Sequence, residues 1–244
     1  IFNVSYNLIV RYDPLVRIRD NLADVRKRIA SAAVIADRDP AEIKLVAVCK
    51  TKPVDLVLDA IQAGVTIFGE NRMQEAKAKW PEFKDELKAR GGEFHLVGHL
   101  QRNKAKDAVQ LFDLIHSIDS ERIAEEVNIQ AEKIDKFQRV LIEVNTSGES
   151  SKYGCSSLET EALVNLIRDL PYLKLEGLMT IGPLYGGIYG ARECFGMLAK
   201  LRNDFGGPAV LPELSMGMTG DFEVAIEEGA TLVRIGTAIF GSRN

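Results

Sequence analysis

From residue 14 onward the apolar residues follow two alternating rhythms. Over 15–36 the spacing is helical, with Ile18, Leu22, Val25 and Ile29 on one stripe. Eight short, near-continuous apolar runs follow: LVAVCK (45–50), TIFGEN (66–71), FHLVGHL (94–100), LIHSID (114–119), RVLIEVN (139–145), LEGLMTI (175–181), PELSMGM (212–218) and LVRIGTAIF (232–240). Between them amphipathic stretches predict helices over 54–63, 73–89, 103–110, 120–133, 157–169, 191–204 and 222–228. Start signals support them: Pro53 precedes Val54-Asp55, Ser157 heads SLETEA, and Asp119-Ser120 precedes Glu121.

Strands that read as continuous Val/Ile/Leu runs are covered on both faces. Strands alternating with helices imply a parallel sheet with right-handed crossovers. Eight such units in 244 residues favour an α/β fold of the closed (β/α)8 TIM-barrel type over an open doubly wound sheet. Residues 14–244 are expected to form this one barrel, with 1–13 as an N-terminal extension and no second β domain.

Composition narrows the function classes. Against 31 Lys+Arg stand 35 Asp+Glu, a net charge of -4, which argues against a general nucleic-acid binder. Cys49, Cys155 and Cys194 are too scattered for a disulfide framework, and no CxxC occurs. No apolar run approaches the roughly 20 residues of a membrane helix. Neither a membrane nor a nucleic-acid partner is expected, and with no leader pattern the expected compartment is the cytoplasm.

In such a barrel the reactive groups lie at the C-terminal ends of the strands. Lys50 closes the first run and shares a face with Val46 and Val48, whereas Ala47 and Cys49 share the other. If the first face is the interior, the amine is partly desolvated, and Lys52 and Arg234 add positive charge. Both effects lower an amine's pKa and suit it to Schiff-base formation. The competing reading is a strand-end lysine reaching out to solvent. SMGMTG (215–220) and RIGTAIFG (234–241) end strands seven and eight, where barrels often hold phosphate. Gly217 and Gly236 are equally compatible with plain tight turns. His95 and His99 have a spacing that suits zinc on a helix, but they fall in a strand, so hydrogen-bonded histidines and no metal site are expected. Met179, Met216 and Met218 line either a ligand site or plain core.

Several segments together resemble one family: VAVCKTKP (46–53), FGENRMQEA (68–76), FHLVGHLQRNK (94–104), Lys152-Tyr153-Gly154, GLMTIG (177–182) and LSMGMTGDFEVAIEEGATLVRIGTAIFG (214–241). In order and spacing they are similar to the pyridoxal phosphate homeostasis proteins, the bacterial YggS type and the eukaryotic proline-synthetase co-transcribed type. The resemblance spans about residues 18 to 243 and implies a barrel like the N-terminal domain of alanine racemase. It implies pyridoxal 5'-phosphate (PLP) on Lys50 as an internal aldimine. Ser215, Gly236 and Thr237 then help hold the phosphate, Arg234 faces the pyridine nitrogen, and Asn71 flanks the ring. Met179 and Met218 join this cofactor-binding set, and Lys52 and Lys152 match secondary lysines. Two departures stand out: Cys49 sits where the family often has serine, and GPLYGGIYG is shorter and richer in glycine than usual.

Two function classes follow. One is a monomeric carrier that buffers PLP or delivers it to PLP-dependent apo-enzymes. The other is a PLP-dependent amino-acid racemase, which needs an acid/base group on each face of the cofactor. Arginine cannot accept a proton, so Arg234 should keep the ring nitrogen unprotonated and weaken carbanion chemistry. The sequence also ends directly after strand eight, leaving no room for the second domain that completes alanine racemase. The carrier is therefore the expected function, and no residue is assigned a catalytic role. An aldolase-like barrel using Lys50 without a cofactor is the weaker alternative.

Overall fold

The computed structural model describes residues 14–242. The extension expected over 1–13 lies outside the described residues. The strands are β1 (Lys44–Val48), β2 (Ile67–Glu70), β3 (Glu93–Leu96), β4 (Leu114–Ile118), β5 (Gln138–Glu143), β6 (Leu173–Met179), β7 (Glu213–Ser215) and β8 (Leu232–Ile235). They pair in parallel, in chain order, and β8 closes back onto β1 with Val46 opposite Arg234. The helices are α1 (Pro14–Ile35), α2 (Val54–Gln62), α3 (Met73–Ala89), α4 (Ala105–Leu111), α5 (Glu121–Glu132), α6 (Thr160–Asp169), α7 (Gly187–Asp204), α8 (Phe222–Glu227) and the short α9 (Thr237–Phe240). The expected closed (β/α)8 barrel is what forms.

Side-chain alternation divides the core into two bodies. Val46, Val48, Val97, Leu114, Leu141, Met179 and Leu232 fill the lumen. Ala47, Cys49, Ile115, Ile142 and Ile235 face the helices and join the larger outer core. That outer core includes Trp80 stacked on Phe94 at 4.9 Å. The floor of the lumen is ionic. Arg139 binds Glu93 at 2.7 Å and Glu176 at 2.8 Å, and Lys44 pairs with Glu213.

Several boundaries differ from the sequence expectation, and three of them shape the barrel mouth. The run 232–240 is not one strand: β8 stops at Ile235, and residues 237–240 make a helical turn at the barrel mouth. β7 stops at Ser215 because the chain turns sharply at Gly217, whose φ is +89°. An added Cβ there would lie 2.5 Å from Ala225 Cβ, so only glycine lets β7 turn this closely onto α8. Helix α7 starts at Gly187, within the glycine-rich stretch and ahead of the expected 191, after Gly186 at φ +101°.

Candidate functional site

One cleft of about 210 Å³ opens at the C-terminal mouth beside the seam between β1 and β8. Its apolar walls are Val48, Val97, Ile181 and Met218; its polar lining is Lys50, Asn71, Arg234, the Thr219-Gly220 turn and the Gly236-Thr237 turn. Among the residues singled out from sequence, Lys50, Asn71, Met218, Arg234, Gly236 and Thr237 are thus brought together. Barrel closure does this, since β1 and β8 are the first and last strands.

Ser215 and Met179 lie outside the lining. Met179 is fully buried in the lumen core. Ser215 is also fully buried, and its Oγ accepts from Arg234 Nη1 at 2.6 Å and contacts His116 Nδ1 at 2.9 Å. Its hydroxyl therefore braces Arg234 instead of lining the cleft. The three methionines form no cluster: Met179 points inward, Met216 outward, and Met218 sits at the mouth.

Arg234 is 4% exposed, and its Nη2 donates to Thr180 O at 2.8 Å. Burial pulls its pKa down to about 10, which leaves the guanidinium charged at neutral pH. Lys52 was expected to lend charge to Lys50. Its Nζ turns instead to Gly241 O (3.0 Å) and Ser242 O (2.9 Å), beside a separate cleft. Lys152 Nζ donates to Gly182 O at 2.7 Å, one residue from the cleft wall at Ile181. Asn71 is fixed by a close backbone approach: a Cβ on Gly98 would lie 2.3 Å from Asn71 O.

Sequence reasoning missed two inward polar residues. Glu143, two positions beyond the lumen residue Leu141, is 4% exposed, and its Oε2 has no hydrogen-bond partner. Burial, reinforced by Asp119 and opposed by Arg234, raises its pKa to about 7. His116, two positions beyond Leu114, is fully buried. In each case the i+2 alternation from an apolar lumen residue was the available signal. His95 bonds Glu93 Oε2 at 2.8 Å, as a hydrogen-bonded histidine would, and His99 lies at the rim against Tyr153 with ring centroids 3.8 Å apart.

An α/β barrel with an amine beyond its first strand and a guanidinium on its last, sharing one mouth, defines a class of single-barrel proteins of the alanine racemase N-terminal type. The chain matches the family "Alanine racemase, N-terminal domain" over residues 15–244. It is 42% identical over 230 residues to the pyridoxal phosphate homeostasis protein of Vibrio alginolyticus, covering 93% of this chain and 98% of that one. Among solved structures, an unknown protein from Bifidobacterium adolescentis superposes with a TM-score of 0.88 at 39% identity, covering 93% of this chain and 96% of that one. PipY of Synechococcus elongatus, solved with PLP bound, gives 0.77 at 33% identity, covering 92% of this chain and all (100%) of that one. This chain belongs to the pyridoxal phosphate homeostasis protein family.

Proposed function

We propose that this protein binds PLP in the mouth cleft, holds it through a Schiff base on Lys50, and buffers it or delivers it to PLP-dependent apo-enzymes in the cytoplasm, acting as a monomer. The observation that carries the reading is the convergence of Lys50, Arg234 and the Gly236-Thr237 turn on one cleft with apolar walls. Those groups fit the cofactor's parts: an amine for an aldehyde, two glycine-bearing turns for a phosphate, apolar walls for a planar ring, and a donor for a pyridine nitrogen. A relative of known structure carries PLP. When bound, PLP supplies an electrophilic carbonyl and an electron-withdrawing ring.

The residues bias the protein toward holding over turnover. Arg234 stays charged and offers only N–H donors, so it stabilises an unprotonated ring nitrogen and withholds the full electron sink a racemase exploits. Val48, Val97, Ile181 and Met218 would shield the ring, and Asn71 would flank it. Lys152, whose Nζ is bound to Gly182 O next to the cleft wall at Ile181, is the secondary lysine nearer the cleft. Among the described residues no helix is long and apolar enough to cross a membrane.

The test is borohydride reduction of the PLP-loaded protein followed by peptide mapping. The label is expected on Lys50, with loss of the chromophore in Lys50→Ala; label on Lys152 alone counts against the assignment. Incubation with L-amino acids in deuterium oxide separates carrier from racemase. Rapid α-proton exchange with inversion would restore the enzyme reading.

A further inference from the structure

Below the cleft, inward-facing side chains from four strands form an unbroken polar chain. Arg234 Nη1 donates to Ser215 Oγ at 2.6 Å, and Ser215 Oγ lies 2.9 Å from His116 Nδ1. His116 Nε2 lies 3.1 Å from His95 Nδ1, and His95 Nε2 lies 2.8 Å from Glu93 Oε2. Glu93 is in turn held by Arg139 on the ionic floor. Ser215, His116 and His95 are at most 1% exposed. The chain therefore runs through the closed lumen beside the apolar side chains of Val46, Leu114, Leu141 and Leu232.

The two ends dictate its direction. A guanidinium has no lone pair to offer, so Arg234 donates; a carboxylate has no proton, so Glu93 accepts. Glu93 stays ionised because the bond from His95, helped by Arg139, holds its carboxyl down to about 2. A neutral His95 then donates from Nε2 and accepts at Nδ1. His116 must donate from Nε2 to His95 and accept at Nδ1 from the Ser215 hydroxyl. Ser215 Oγ is left to accept from Arg234. With both rings neutral, the state burial favours by pushing both pKa values down, every link is satisfied by this one pattern.

We propose that Ser215, His116, His95 and Glu93 are positioning residues for Arg234: a one-way hydrogen-bond relay along the barrel axis ties the cleft to the ionic floor and holds the guanidinium in a single orientation. Ser215 takes Nη1 and Thr180 O takes Nη2, so the plane of the group is set from two sides. What Arg234 faces in the cleft rests on the PLP reading. The relay is a property of the protein without cofactor, and the two can fail separately.

The first test uses ¹⁵N-labelled protein without PLP. The chain has 3 histidines, so ring resonances are assigned by single substitution. Long-range ¹H–¹⁵N correlation at neutral pH should show His95 and His116 both neutral with the proton on Nε2. A doubly protonated ring, or a proton on Nδ1 in either, overturns the proposal. The second test compares His95→Leu with His95→Gln, whose amide can still donate to Glu93 and whose carbonyl can accept from His116. The Leu variant should scramble the His116 tautomer and release bound PLP about ten-fold faster, as expected for one lost buried hydrogen bond. The Gln variant should keep both near wild type. Identical behaviour of the two variants would refute the relay, and if the Leu variant fails to fold, the wild-type tautomers still decide.

Discussion

Lys79 Nζ and Glu70 Oε2 lie 2.7 Å apart behind the turn that carries Lys50, and Glu70 is fully buried. The same Nζ donates to Cys49 O at 2.8 Å, and Glu75 Oε2 accepts the Thr51 N–H at 2.6 Å. Thr51 has φ +60°, a left-handed conformation that disfavours a β-branched residue. The backbone on either side of Lys50 is thus gripped from α3, against local preference, where Lys50 lines the cleft.

This grip predicts a large effect from a half-buried lysine. Lys79→Met leaves the Glu70 carboxylate buried and unpaired, and should cost about 3 kcal/mol of stability. Urea denaturation measures it. A loss below about 1 kcal/mol would mean that the pair behaves like a surface ion pair.

Glu143 predicts a pH dependence. Its folded-state pKa of about 7 lies above the ordinary 4.5, so the folded chain binds this proton more tightly than the unfolded chain. The contribution is complete below about pH 4.5 and is lost as pH rises through 7. Glu143→Gln should match wild type near pH 5 and exceed it by roughly 3 kcal/mol above pH 8. Parallel stability curves for the two proteins across that range would show that Glu143 is not buried as a free acid.

Gly98 predicts a steric effect on the cleft. Its missing Cβ makes room for Asn71, whose Cα would lie 2.8 Å from an added carbon. Gly98→Ala should destabilise the fold by about 2 kcal/mol and displace Asn71. Thermal denaturation and PLP titration check this together, and a variant with unchanged melting and unchanged affinity contradicts it.

The thiols predict an absence of reactivity. Cys49, Cys155 and Cys194 are free and buried, and burial, aided by the Glu70 charge, pushes the Cys49 thiol far up. Iodoacetamide at pH 8 should leave Cys49 unmodified in the folded protein and alkylate it in urea, as read by mass spectrometry. Rapid native labelling of Cys49 would show that the β1–α3 packing opens.

Much of this was legible in the chain. Strands buried on both faces must be apolar throughout, so runs such as LVAVCK and RVLIEVN announced themselves, and period-two alternation put Val46 and Val48 on one face and Cys49 on the other, the structure deciding which is the lumen. Strand ends were harder to read. Residues 232–240 are apolar whether extended or helical, and only packing at the mouth bends 237–240 into a turn. Ser215 reads from sequence as part of a phosphate cup because it ends strand seven beside a glycine turn, yet its hydroxyl is taken up by Arg234 and His116.

What the sequence settled by itself was the repeat of eight strand-and-helix units and the residue types at their ends, because burial on two faces and helical periodicity act over a few residues at a time. What only the tertiary structure decided was who meets whom. Closure of the sheet set β8 beside β1, bringing Arg234 and Gly236 to Lys50 across nearly the whole chain. Inside the closed lumen Arg234, Ser215, His116 and His95 find hydrogen-bond partners on other strands, and the positions of those strands alone determined which.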